Sequence, residues 1–162
     1  MTHANRGTGI EMIWSAFSFY SHTPLIRVQG RLHANDYIDL LRQSLLPIYH
    51  NLLPNNGFYL HDNAPIHRAR SVAEFLLENN ITTLPWPPYS PDINCIENVW
   101  AKMKKDVGRL LLATEDELFL ALQHSWNNHL NNPEQRQRYV DSMPRRLQAV
   151  HEARGLYIYV IY

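Results

Sequence analysis

The chain has 162 residues, 45% of them apolar and 19% charged, with 15 basic side chains balanced by 15 acidic ones. That length and composition suit one soluble globular domain, contain no run of about 18 apolar residues able to cross a membrane, and lack the basic excess of a free-standing nucleic-acid binder. Residues 1–9 are too polar for a signal peptide, and the lone Cys95 has no internal disulfide partner, which fits a cytosolic or nuclear setting.

Residues 10–19 (IEMIWSAFSF) are rich in β-branched and aromatic side chains and predict a strand. Residues 20–23 predict a turn, and residues 24–29 (PLIRVQ) a second strand closed by Gly30. From Asn35 the apolar positions Tyr37, Leu40, Leu41, Leu45 and Ile48 recur at helical spacing, with Asn35 or Asp36 as N-cap and Pro54 with residues 55–57 (NNG) as the stop. Residues 58–62 (FYLHD) predict a buried strand ending in a carboxylate, followed by a loop from Asn63. Val72, Phe75, Leu76 and Leu77 mark an amphipathic helix stopped by Asn79 and Asn80, and residues 81–84 (ITTL) another short strand.

Pro85, Pro87, Pro88 and Pro91 force the next stretch to be extended. A helix is predicted from Ser90 as N-cap and Pro91 as first helical residue, then helices over 115–129 and 133–154. The order of elements predicts an α/β layer with a helical extension.

Two carboxylates stand out. Asp62 closes a predicted buried strand, the end of an α/β sheet where ligands bind, although an aspartate there also serves as a turn cap. Glu97 lies on a helix whose apolar positions are Ile93, Ile96, Trp100, Met103 and Val107, so it shares or borders the buried stripe. A carboxylate in that place needs a cation, from a basic side chain or a metal, or must reach solvent at the stripe edge. Together they suit Mg²⁺, which takes oxygen ligands and often only one or two carboxylates per ion.

The stretch His61-Asp62-Asn63-Ala64-Pro65-Ile66-His67 and the later WPPYSPDINCIENVW from Trp86 to Trp100 resemble the catalytic block of Tc/mariner DNA transposases, on the Tc-like side. That family carries DNAPxH and WPxxSPDLNPIENxW with 34 residues between the catalytic Asp and Glu, and 34 separate Asp62 from Glu97 here. Residues 12–25 and the SMPRRLQAV segment from Ser142 to Val150 also resemble family motifs, so the likeness covers roughly residues 8–155.

The resemblance implies a partial ribonuclease-H-like DDE catalytic core over 8–110, a C-terminal helical extension over 111–155 and a divergent tail over 156–162. It implies that Asp62 and Glu97 are catalytic and bind metal, two Mg²⁺ or Mn²⁺ ions in the intact enzyme. It implies cut-and-paste transposition in the nucleus, with transposon-end and target DNA as partners, a homodimer as a possible assembly, and neither a membrane nor a small-molecule substrate. The family triad begins with an Asp on a central first strand preceding residues 10–29. That strand and the N-terminal helix-turn-helix are missing from the 162 residues, so an opened sheet edge, marginal stability and very weak cleavage are expected.

Asp36 and Asp39 fall on the wrong element to replace the missing Asp, and Asp92 reads as a first-turn acid. Lys102, Lys104, Lys105 and Arg109 form a basic run that either contacts DNA phosphates or is a solvated helix face. Arg145 and Arg146 read more as structural residues than as DNA contacts, His67 could approach the metal site through the loop after Asp62 but reads more as a hydrogen-bonded loop histidine, and Trp86, Trp100 and Trp126 read as packing residues. The alternative to an enzyme fragment is a non-catalytic transposase remnant serving as a DNA-binding or dimerisation module.

Overall fold

The computed structural model describes residues 2–5, 10–54, 57–87 and 90–152. Three strands, β1 (Thr2–Asn5), β2 (Ile10–Trp14) and β3 (Ile26–Val28), form an antiparallel sheet in the order β1-β2-β3. β1 is an addition to the sequence reading. It pairs Thr2 with Ile13 through Asn5 with Ile10 and so covers one edge of β2. On the other side Met12 pairs with Val28 and Trp14 with Ile26.

The predicted strand over 10–19 ends early, at Trp14. Polar side chains then replace the ladder. Ser15 Oγ lies 2.8 Å from Thr23 Oγ1, and that hydroxyl accepts the Ala16 N–H at 2.9 Å. Thr23 N–H donates to Ala16 O at 2.8 Å, and only an isolated bridge joins Phe17 to His22.

Alternation along β2 separates two cores. Trp14 and Val28 pack with Tyr37, Leu41 and Leu45 around α1 (Ala34–Ser44), and with Val72, Phe75 and Leu76 of α3 (Arg70–Glu78). The short α2 (Tyr49–Leu52) adds Leu52 to this cluster. Ile13 and Leu25 face the opposite way and join Val99, Trp100, Met103, Leu122 and Trp126. These come from α4 (Ile96–Val107) and α5 (Glu115–Leu130), with α6 (Pro133–Val140) contributing Tyr139 and α7 (Ser142–Glu152) completing the layer. Both faces of the sheet are therefore buried.

Several boundaries differ from the sequence reading. His33 precedes α1 and donates its backbone N–H to the Asp36 carboxylate at 2.9 Å, so Asp36 caps from inside the first turn. The helix predicted to run on to Pro54 breaks into a 3₁₀ turn over Leu46–Ile48, where Pro47 lacks the N–H a continuous α-helix needs, and then α2. Asn80 ends α3 as expected, with φ of 55°, while Ile81 and Asn80 N–H donate to Leu76 and Leu77 carbonyls at 2.8 and 3.0 Å.

The strands predicted over 58–62 and 81–84 shrink to one parallel bridge between Tyr59 and Thr83. Tyr59 N–H donates to Thr82 O and Leu84 N–H to Tyr59 O, and no described strand lies beside them to extend a ladder. The long helix predicted over 133–154 is two helices meeting at Asp141. An unbroken helix would put Pro144 in its interior, whereas restarting at Ser142 leaves that proline in a first turn, where its missing N–H does no harm. Residues 153–154 and the tail 156–162 lie outside the described residues, as do Asn55, Asn56 and Pro88.

The helical layer is fastened to the β2–β3 connection by polar clamps. Buried Arg136 donates to the carbonyls of Phe19 and Tyr20 at 3.2 and 3.1 Å and to that of Leu130. Fully buried Trp126 donates from Nε1 to Thr23 O at 2.9 Å and stacks on Trp100 at 5.0 Å. Replacing Trp126 by Ala should cost roughly 3–5 kcal/mol from the lost burial. Phe in its place should cost about 1 kcal/mol, mainly the hydrogen bond. Urea denaturation of both variants checks this; a loss below about 1 kcal/mol for the alanine variant would mean that the two layers are not packed through this residue.

Candidate active site

Asp62 lies three residues beyond Tyr59, where the chain leaves the first core and folds back on itself. Pro65 fixes the local backbone, and His67 and Arg68 N–H groups donate to Ala64 O at 2.9 and 3.2 Å. This single turn returns His67 over Asp62. Ala64 N–H donates to Asp62 Oδ1 at 2.9 Å, and His67 Nδ1 lies 2.7 Å from the same oxygen. The His67 hydrogen bond, helped by the Ala64 N–H and opposed by partial burial, holds the Asp62 carboxyl well below the usual carboxylate range. Asp62 is thus both a turn cap and a half-exposed carboxylate, uniting the two roles its sequence position left open.

Glu97 arrives from the other layer. The helix predicted from Ser90 begins at Ile96 instead, after a 3₁₀ turn over Pro91–Ile93. Asn94 supplies the cap, its Oδ1 accepting the Ile96 N–H at 3.2 Å. Glu97 therefore sits in the first turn of α4, half-buried beside the packed stripe of Val99, Trp100, Met103 and Val107. Burial pushes its carboxyl up from the ordinary range, Lys104 opposes that, and the Asp62 charge adds to it.

Both carboxylates line one cleft of about 530 Å³, together with Asn63, Arg68, Trp86 and Asn94. The Asn63 amide donates to Trp86 O, tying the Asp62 loop to the proline-rich segment. Trp100 and Trp126 are buried packing residues as expected, whereas Trp86 is half-buried on the cleft wall. Arg68 went unremarked in the sequence because a single exposed arginine in a loop carries no signal until the cleft is seen.

The other acids stay away from it. Asp36 caps α1, and Asp39 pairs with Arg42 at 2.6 Å. Asp92 belongs to the 3₁₀ turn, and its carbonyl accepts from Arg146 Nη1 at 2.7 Å. Arg146 is buried and also donates to Ser142 Oγ at 2.9 Å, so α7 braces the turn from which Glu97 is presented.

The basic run does not form one face. At 3.6 residues per turn Lys104 shares the face of Glu97, as its effect on that carboxyl indicates. Lys102 turns the other way, its Nζ lying 4.7 Å from the Tyr139 ring centre. Lys105 and Arg109 are exposed. Among the described residues, no group of three or more His, Cys, Asp or Glu side chains is placed to hold a metal.

A sheet buried on both faces, with two acidic groups reaching one cleft from opposite layers, makes an α/β domain with a two-carboxylate cleft. Comparison narrows the class: residues 4–118 match the family model described as DDE superfamily endonuclease, and the chain belongs to that family, on its Tc/mariner branch. It is 30% identical over 149 residues to the Tcb1 transposase of Caenorhabditis briggsae and 29% identical over 149 residues to the Tc1 transposase of Caenorhabditis elegans. In each case this takes in 92% of the chain and 54% of the relative, so the chain spans about half the length of these proteins. The crystal structure of the Mos1 mariner transposase catalytic domain superimposes with a TM-score of 0.83 at 20% identity, over 98% of this chain and 81% of that one, a likeness of fold.

The opposite shifts of the two carboxylates have opposite consequences for stability. The lowered pKa of Asp62 stabilises the fold above the ordinary value of 3.8, and this is lost as pH falls below it. The raised pKa of Glu97 does the reverse: stability declines as pH rises from the ordinary 4.5 through the higher folded value. Chemical denaturation across acid to neutral pH should therefore find Glu97→Gln more stable than the parent at neutral pH and Asp62→Asn less stable. Equal stabilities would contradict the environments described here.

Proposed function

We propose that this chain carries part of the catalytic centre of a cut-and-paste DNA transposase, with Asp62 and Glu97 as metal-ligating catalytic carboxylates. The observation supporting this is their convergence on one cleft from separate layers. The donor set fits Mg²⁺ or Mn²⁺: both groups offer hard oxygen ligands, and among the described residues Asp62 Oδ2 receives no hydrogen bond. Bound there, two such ions would activate the attacking oxygen and stabilise the leaving oxygen of a phosphodiester displacement. The Mos1 transposase has been solved with Mn and with Mg, and in a paired-end complex with the left transposon end.

In this reading Asp62 and Glu97 hold the ions, while Arg68 and Trp86 shape the wall against which the DNA strand lies. The partner is transposon-end and target DNA, the setting is the nucleus, and paired ends call for two copies. In this reading Asp62 and Glu97 are two of three metal-binding carboxylates, the third being an Asp at the end of a strand that precedes residues 10–29.

A fusion adding such a strand, ending in Asp, upstream of Thr2 is expected to nick labelled duplex DNA with Mn²⁺. Asp62→Asn or Glu97→Gln should lower that activity by at least about a hundredfold. Nicking by the fusion that both substitutions leave intact would overturn the assignment.

DNA binding is expected to use Lys104 and Lys105 more than Lys102, whose ammonium is committed to Tyr139. In a gel-shift titration with salt, each of Lys104→Ala and Lys105→Ala should reduce the slope of log K against log salt by about one. Lys102→Ala should leave it nearly unchanged, and an equal effect from all three would show that the run acts as one patch.

A further inference from the structure

We propose that His67 is a positioning residue that turns Oδ1 of Asp62 into the protein and leaves Oδ2 as the oxygen offered to a divalent cation. This rests on the metal-site reading of Asp62 and assigns a further residue to it.

Four observations carry the assignment. Among the described residues, the two donors that reach the Asp62 side chain, Ala64 N–H at 2.9 Å and His67 Nδ1 at 2.7 Å, both meet Oδ1. His67 Nδ1 also lies 3.1 Å from the Asp62 carbonyl, so one ring nitrogen engages side chain and backbone of the same residue. The ring is held in this place by burial, with its centre 4.5 Å from Tyr37 and 5.0 Å from His61. Tyr37 is itself immobilised in the first core, where its hydroxyl bonds that of Tyr59 at 2.9 Å.

The fourth observation concerns the far side of the ring. His67 Nε2 is buried and has no hydrogen-bond partner among the described residues. An unsatisfied buried nitrogen is a penalty that an apolar side chain of similar size would avoid. A residue that only filled space here would be apolar; what histidine adds is a donor at the Nδ1 position. A ligand oxygen selected by hydrogen-bonding its twin is how outer partners orient carboxylates at metal sites, and their loss commonly weakens metal binding about 10–100-fold.

The test uses Mn²⁺ as probe and this chain as it stands, with NMR line broadening of the Asn63, Ala64 and Glu97 amides reading the affinity and circular dichroism confirming the fold. Asn at position 67 places an amide N–H near the Nδ1 position, whereas Gln places it near Nε2. His67→Asn is expected to keep Mn²⁺ affinity within about threefold of the parent, while His67→Gln and His67→Ala lose about 10–100-fold with the fold retained. Affinity of His67→Gln equal to the parent would overturn the proposal, as would equal losses in the Asn and Gln variants. Broadening that Asp62→Asn leaves unchanged would instead remove the metal-site reading itself, and the role of His67 with it.

Discussion

The constraint on which this structure depends is that a very short sheet must bury both of its faces. β2 has five residues, and successive side chains point to opposite sides. Ile13 and Trp14 are both buried, one in each core. A strand with one wet face would need a single layer of helices; this one needs two. The first comes from α1 and α3, the second from α4, α5 and α6, and the molecule is a sandwich of two half-cores divided by the sheet.

The site follows from that division. Asp62 leaves the first half-core, where Tyr37, Tyr59 and His67 support it, and Glu97 leaves the second, on the helix that carries Val99, Trp100 and Met103. A cleft at the seam lets each carboxylate be rigidly held by its own layer while both face the same space. The electrostatic settings differ accordingly. Asp62 gains two donors and stays ionised easily; Glu97 is partly withdrawn from water with no described hydrogen bond to compensate. The fold thus carries an unfavourable group beside its core.

The helices after residue 111 do more than cover the second face. Arg136 and Trp126 bind backbone carbonyls of the β2–β3 connection, and Arg146 binds the turn before α4. Each uses N–H donors to satisfy carbonyl oxygens that a regular strand or helix would have paired. The irregular backbone that frames the cleft is therefore completed by side chains from far along the chain, which explains how so much loop is accommodated around a small sheet.

Much of this was legible in the amino-acid sequence, because it rests on local patterns. Helical spacing marked α3, α5 and the start of α1 to within a few residues, and the two carboxylates were singled out by their places at a strand end and on a packed helix. The DNAPxH and SPD segments gave the family and the spacing of 34 residues between Asp62 and Glu97. Other features depended on partners remote in the chain. Residues 58–62 and 81–84 have strand composition, but strands need neighbours, and one bridge is all that the surroundings supply. Residues 2–5 have no strand signature, yet β2 offers them an unpaired edge. The pinning of Asp62 by His67, the division of the lysine run and the bracing by Arg146 all depend on where a ring or guanidinium lands after folding. Periodicity and motif are properties of neighbouring residues and can be read in order; a hydrogen bond between loops, or a cleft between two layers, exists only once burial has brought them together.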